Sequence, residues 1–137
     1  MSTRRGWPRL RQLGMAACSV VVLSCANVAA QAQAPDITGS WTGVVQLPDH
    51  SRFDVTLRLS QDGNSVTGVR MVSAFPGREL DLRGTIDGDT FTWGSLNPNG
   101  NLVAFRLTLD KAGKKMSGSG VNATVTGDLF MVLTRED

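Results

Sequence analysis

The sequence predicts an all-β fold: an eight-stranded antiparallel up-and-down meander barrel that follows a cleaved signal peptide. After residue 36, apolar and polar residues alternate with a period of two, as they do in half-buried strands. Turn residues interrupt this alternation every 8–12 residues, a spacing typical of sandwiches and barrels. The connections are short, so neighbouring strands should be antiparallel. Closure into a barrel would remove the exposed edges of the sheet.

The N-terminal segment has the three parts of a secretory signal peptide. Residues 1–30 begin with four arginines and no acidic residue, and an apolar run follows at 13–23. Small residues at 28–30 provide a cleavage site before Gln31. The apolar run is shorter than the roughly 20 residues that span a bilayer. We therefore expect a signal peptide at 1–30 and a periplasmic or secreted protein.

A second interpretation of the leader concerns Cys25. The sequence VLSC at 22–25 resembles a bacterial lipobox, which would make Cys25 the lipidated N-terminus of an anchored lipoprotein. A membrane is an expected partner only under this alternative.

Charge and cysteine content exclude several classes of function. Of the 14 Lys and Arg residues four lie in the leader, so the remaining chain has 10 basic residues against 12 acidic ones. A chain that is mildly acidic after the leader lacks the excess of Lys and Arg with which proteins bind nucleic acid, so nucleic acid is not an expected partner. Both cysteines, Cys18 and Cys25, fall in the leader, which leaves the mature chain without disulfides or thiolate chemistry. With one histidine in the whole sequence, we expect no metal site, no cofactor and no catalytic dyad.

The strands can be placed one by one from the alternation and the turns. In the second, apolar residues at 53, 55, 57 and 59 alternate with polar ones, and similar alternation runs over 80–86 and 103–109. Asp-Gly pairs at 62–63 and 87–88 predict tight hairpin turns. We expect a short linker at 31–36 and one barrel domain at 37–137, with strands at 37–47, 53–60, 65–74, 79–86, 90–96, 102–109, 115–121 and 128–135.

The first predicted strand carries a family resemblance. It begins ITGSW at 37–41, and a Gly-x-Trp at this place in an eight-stranded meander resembles the calycin group, which includes lipocalins, fatty-acid-binding proteins and avidins. In those families the Trp closes one end of the barrel, and an Arg late in the last strand packs across it. The resemblance therefore implies that Trp41 and Arg135 form a structural plug. A cation over an indole ring is favourable by about 0.5–2 kcal/mol.

The end of the barrel opposite the plug is the expected binding site. Longer polar connections at 48–52, 74–78, 97–101 and 122–127 should gather there, and such loops commonly carry recognition. Arg70 lies on the same face of its predicted strand as Val66 and Val72, so it would point inward if that face lines the core. Val69 and Met71 on the opposite face also look like core residues, so a flip or a bulge could instead expose Arg70. The candidate ligand contacts are Arg70, Phe75, Arg78, Trp93 and His50.

Three functions remain open on the sequence. The leading hypothesis is a ligand-binding, lipocalin-like barrel for a small, mainly apolar molecule, any acid group of which would face Arg70 or Arg78. The first alternative is a periplasmic protein-interaction module, such as a protease inhibitor that inserts residues 31–36 into an envelope protein partner. The second alternative is a metal-free isomerase or cyclase that uses Glu79 and Asp81, although such charges are more typical of solvated surfaces.

Overall fold

The computed structural model describes residues 35–136, and the predictions for the leader, for Cys25 and for residues 31–34 lie outside this range. No helix in the described part has the length and apolar character needed to cross a membrane. The strands of residues 35–136 are β1 (Gly39–Gln46), β2 (Arg52–Asp62), β3 (Ser65–Val72), β4 (Leu80–Asp87), β5 (Thr90–Leu96), β6 (Leu102–Leu109), β7 (Lys115–Asn122) and β8 (Val125–Arg135).

The strands form one closed barrel in sequence order, which confirms the predicted fold class. Each strand pairs antiparallel with the next, and β8 closes the ring against β1 with Arg135 opposite Trp41. The predicted alternation holds in β2, where Val55, Leu57 and Leu59 are buried while Arg58 is exposed. In β2 the apolar face thus lines the interior, and the polar face meets solvent.

The largest difference in strand limits is at β8, which begins at Val125 instead of the predicted residue 128. The β7–β8 connection is a tight turn in which Asn122 Oδ1 accepts hydrogen bonds from the Thr124 backbone N–H and hydroxyl. A register shift between Gly120 and Asn122 marks a bulge beside it. Sequence reasoning assigned this segment to a longer loop because its polar residues resemble an open connection.

Trp41 fills one end of the barrel. Its side chain has no exposed surface, and its Nε1 donates a hydrogen bond to the Ile37 carbonyl over 3.0 Å. The Arg135 guanidinium carbon lies 4.6 Å from the Trp41 ring centroid, within the range of a cation–π contact. Arg135 also donates to the carbonyl oxygens of Gly113, Thr38 and Asp36. These bonds hold the cation across the indole and join the chain before β1 to the end of β8.

A row of four paired residues crosses the barrel wall from β4 to β7. Gly84 pairs with Trp93, Trp93 with Phe105, and Phe105 with Gly120. A Cβ added at Gly84 would lie 2.7 Å from the Trp93 Cβ, and one at Gly120 would lie 2.6 Å from the Phe105 ring. The atoms nearest to each added Cβ are backbone carbonyl oxygens, those of Thr92 and Ala104, so both glycines allow neighbouring strands to approach closely, and Gly120 also leaves room for the Phe105 ring.

Candidate functional site

The longer connections gather at the end of the barrel opposite Trp41, which we call the mouth. They join β1 to β2, β3 to β4 and β5 to β6, and the tight β7–β8 turn lies at the same end, whereas the plug end has two-residue turns after β2 and β4 and a longer connection at 110–114. A cavity of about 220 Å³ lies at the mouth and reaches down to Met131 and Trp93. Its lining is mostly apolar and includes the aromatic residues Phe53, Phe75, Trp93 and Phe105. Its polar lining residues are Arg70, Asn97, Asn99, Asn122 and Thr124.

Arg70 is the charged residue in this lining, and only 4% of its surface is exposed. Its Nε and Nη2 donate to Ser95 Oγ over 3.3 and 3.2 Å, and Nη2 also donates to Asn97 Oδ1 over 2.9 Å. Ser95 Oγ in turn donates to the Asp81 carbonyl over 2.6 Å. The guanidinium is thereby fixed in orientation by neutral oxygens, while Nη1 has no hydrogen bond to any of residues 35–136.

The inward direction of Arg70 follows from the register of β3. Val66 and Val72, which share its phase, are 1% and 9% exposed, whereas Val69 and Met71 are half-buried on the outer side. The sequence left both phases open because each one carries apolar residues. In the closed barrel only one face of β3 lines the interior, and this is the face that carries Arg70.

The charge on Arg70 is not matched by a nearby carboxylate. Among residues 35–136, an ion pair joins Arg58 to Glu79, and both of these side chains are exposed on the outer surface. Desolvation by burial lowers the pKa of Arg70 to about 10, which still leaves the guanidinium protonated at neutral pH. A buried cation without a counter-ion is costly unless a partner arrives. The cavity lining thus carries a buried positive charge to which the described residues supply no counter-ion.

The aromatic wall below Arg70 contains an unpaired polar atom. Trp93 and Phe105 stack with ring centroids 5.2 Å apart and an interplanar angle of 23°. The Trp93 Nε1 is buried, and none of residues 35–136 accepts its hydrogen. Most buried indole N–H groups find an acceptor, so this one marks a place where an acceptor is missing.

The structure separates the sequence-predicted ligand contacts into two sets. Arg70, Phe75 and Trp93 line the cavity. His50 and Arg78 are exposed in the β1–β2 and β3–β4 connections and lie outside the lining. His50 adopts a φ of 71°, and its Nδ1 lies 3.2 Å from Gln46 Nε2. Their roles as ligand contacts at the mouth stay predictions.

Sequence reasoning missed the asparagines of the mouth. Asn97 is 9% exposed and binds Arg70, while Asn99 and Asn122 also line the cavity. The run NPNGN at 97–101 is one of the polar mouth connections predicted from the sequence, but the pattern singles out none of its asparagines as a contact. An amide that holds a buried guanidinium cannot be told from a turn amide without the tertiary structure.

Two features bear on the alternative functions. The Pro35 and Asp36 carbonyls accept hydrogen bonds from Gln61 Nε2 and Arg135 Nη2 over 2.8 and 2.7 Å, so the end of the segment proposed for insertion into a protease is tied to the barrel. Glu79 is paired with Arg58, and Asp81 is exposed outside the cavity lining. The described residues contain no cluster of His, Cys, Asp and Glu able to hold a metal ion.

Comparison with known proteins shows the fold alone. No protein-family model matches the chain, and no curated protein matches it. Among solved structures, it is similar to a redesigned β-barrel with a TM-score of 0.63 and 17% identity, covering 74% of this chain and 92% of that one. It is also similar to the redesigned β-barrel mFAP1 bound to DFHBI, with a TM-score of 0.57, 15% identity and coverage of 72% and 94%. A third similar structure is a fluorescence-activating β-barrel designed de novo, with a TM-score of 0.55, 11% identity and coverage of 72% and 93%.

Proposed function

We propose that the protein is an exported binding protein, periplasmic or secreted, that holds a small, mainly apolar acid in the mouth of its barrel. The observation that carries this proposal is Arg70, a buried cation that faces an apolar cavity and contacts only neutral oxygens. The acid group of the ligand supplies the missing negative charge, and charge-assisted hydrogen bonds to a guanidinium are among the stronger ones in proteins.

The size of the cavity limits the ligand. An engineered apolar cavity of about 150 Å³ binds benzene. At about 220 Å³, this cavity has room for one ring with small substituents. The aromatic walls suit a flat molecule, and the similar barrel mFAP1, which was solved with DFHBI, shows that barrels of this architecture accept small molecules.

The signal-like leader supports export. Residues 1–30 carry the arginines, apolar run and small-residue site described above. N-terminal sequencing of the mature protein tests this part of the proposal separately: Gln31 as the first residue supports a soluble exported form, and lipid-modified Cys25 supports the anchored alternative.

Binding of a matched acid and amide tests the ligand class. We expect benzoate to bind about 10-fold or more tightly than benzamide, because only the acid carries the charge that Arg70 lacks and such bonds contribute about 1.5–3 kcal/mol. Titration calorimetry at pH 7 measures both affinities. Equal affinities would contradict the proposal, as would preference for the amide.

The pH dependence of benzoate affinity follows from the charges on the Arg70 guanidinium and the ligand carboxylate. Because the lowered pKa of Arg70, about 10, is still above neutrality, the guanidinium stays charged and benzoate affinity should be flat between pH 6 and pH 9. Affinity should fall above pH 10 as Arg70 loses its proton. It should also fall below about pH 4, where the ligand carboxyl becomes neutral. A titration midpoint between pH 6 and pH 9 would contradict the assignment of the binding charge to Arg70.

A further inference from the structure

The side-chain amide of Asn97 is held in one orientation by Arg70. Asn97 Oδ1 accepts a hydrogen bond from Arg70 Nη2 over 2.9 Å, and a guanidinium carries donors only, so the amide must turn its oxygen toward Arg70. The amide nitrogen is two covalent bonds from that oxygen, which places Asn97 Nδ2 within about 5.5 Å of Arg70 Nη2. A neutral donor therefore stands beside the buried cation.

The contact between Arg70 and Asn97 leaves two donor atoms without a partner among residues 35–136. These atoms are Arg70 Nη1 and Asn97 Nδ2, and neither is shut off from solvent as Trp93 Nε1 is. Arg70 is 4% exposed, Asn97 is 9% exposed, and both residues line the cavity, so the surface left to them belongs to it. The cavity thus receives free N–H groups from two neighbouring side chains.

The other two asparagines of the lining show the same arrangement. Asn99 Oδ1 accepts from the Asn101 backbone N–H over 3.2 Å. Asn122 Oδ1 accepts from the Thr124 backbone N–H and hydroxyl over 3.0 and 2.8 Å. The amide oxygens of the mouth are therefore engaged by the protein, and the amide nitrogens are left to meet a ligand. Such a site suits a group that accepts hydrogen bonds and donates none.

We propose that Asn97 is a second ligand contact and makes the site specific for carboxylates. One carboxylate oxygen accepts from Arg70 Nη1, and the other accepts from Asn97 Nδ2. An ionised carboxylate is an acceptor at both oxygens, whereas a primary amide would turn its own NH₂ group toward one of the two donors. This inference rests on the proposed function and adds to it the residue that selects acids over amides.

Asn97→Asp tests this specificity. The introduced carboxylate keeps an oxygen for Arg70 but removes the N–H and supplies the counter-ion. We expect benzoate to bind at least about 10-fold more weakly, because a hydrogen bond to a charged group is lost. The affinity for benzamide should not fall, because its NH₂ group can donate to the new carboxylate. The ratio of the two dissociation constants at pH 7 is the quantity to measure by calorimetry.

Asn101→Asp is the matched control for the added charge. Asn101 lies in the same connection and outside the cavity lining, so this variant should keep the wild-type ratio of benzoate to benzamide affinity. An equal loss of benzoate binding in both variants would show that the charge of the loop, and not the amide of Asn97, decides the preference.

A spectroscopic measurement on the unaltered protein separates contact from neutralisation and covers the case in which Asn97→Asp fails to fold. The side-chain amide proton signals of Asn97 should move downfield with benzoate, because the N–H gains a charged acceptor. They should move much less with toluene, which fills apolar space and has no oxygen. The amide of Asn64, in the β2–β3 turn at the plug end, is an internal reference. Equal shifts with the two ligands would overturn the inference.

The outcomes separate this inference from the proposed function. If benzoate binds to wild type and Asn97→Asp keeps the wild-type preference for benzoate over benzamide, the role of Asn97 is wrong and the acid site stands. If benzoate binds and the Asn97 signals do not move, the contact is overturned in the same way. If benzoate does not bind to wild type, the proposed function fails and this inference with it.

Discussion

Arg70→Met should weaken the binding of benzoate by about 10- to 100-fold and at the same time raise the free energy of unfolding. The affinity falls because the ligand carboxylate loses a charge-assisted partner, a contribution of about 1.5–3 kcal/mol. Stability rises because Arg70 is 4% exposed and has no carboxylate near it. Replacing a buried ion pair by apolar residues of similar volume is often stabilising by about 1–4 kcal/mol, and Arg70 lacks even the counter-ion that such a pair has. We expect a gain at the low end of that range, since Asn97 Oδ1 loses its donor.

Opposite effects on affinity and stability distinguish a binding residue from a structural one. Urea denaturation and calorimetry on the same preparations give both quantities. Arg78→Met is the matched control, because Arg78 is an exposed cation near the mouth and outside the cavity lining. It should change stability by less than about 0.5 kcal/mol and leave benzoate affinity unaltered. A destabilised Arg70→Met that still binds benzoate with wild-type affinity would show that Arg70 serves the fold.

Trp41→Ala should destabilise the barrel by about 3–5 kcal/mol, the usual range for removing a buried Trp or Phe. Trp41 is fully buried against Ile37 and Arg135, and its loss leaves a cavity at the closed end and an Arg135 without its aromatic partner. Urea denaturation measures the change. Because a small domain has a total stability of only about 5–15 kcal/mol, the variant will be close to unfolding at 37 °C.

The control for Trp41 is an aromatic residue on the outside of the same barrel. Phe130 is 57% exposed, so Phe130→Ala should change the free energy of unfolding by less than about 0.5 kcal/mol. The milder Trp41→Phe should remain folded and bind benzoate as the wild type does, since Trp41 lies at the end opposite the cavity. A loss below about 1.5 kcal/mol in Trp41→Ala, half the low end of the usual range, would contradict the assignment of Trp41 as a plug.

The strands of the barrel and their order were predictable because they depend on residues that lie close together in the sequence. Period-two alternation as in Val55, Leu57 and Leu59, together with short turns, defines strands and antiparallel order without knowledge of distant contacts. The start of β8 at Val125 could not be predicted from the sequence. Asn122 and Thr124 form a tight turn held by side-chain hydrogen bonds, and their polar side chains resemble those of an open loop.

The candidate site was predictable only in part, because its geometry depends on contacts between separate strands. The alternation in β3 made Arg70 a candidate, but whether its side chain points inward depended on which face of β3 lines the closed barrel. Asn97, 27 positions away in sequence, could be linked to it only by the structure. His50 and Arg78 belong to mouth connections as expected, yet loop conformation directs them outside the cavity lining. Loop side-chain direction is not encoded in periodicity.

Native mass spectrometry of the protein, purified without denaturant from the cells that produce it, tests the central claim most directly. The account predicts that the wild type carries one small acid, and that Arg70→Met, prepared in the same way, is largely free of it. A wild-type protein that carries no small molecule, and takes none from an extract of those cells, would contradict the claim that this cavity is a binding site for acids.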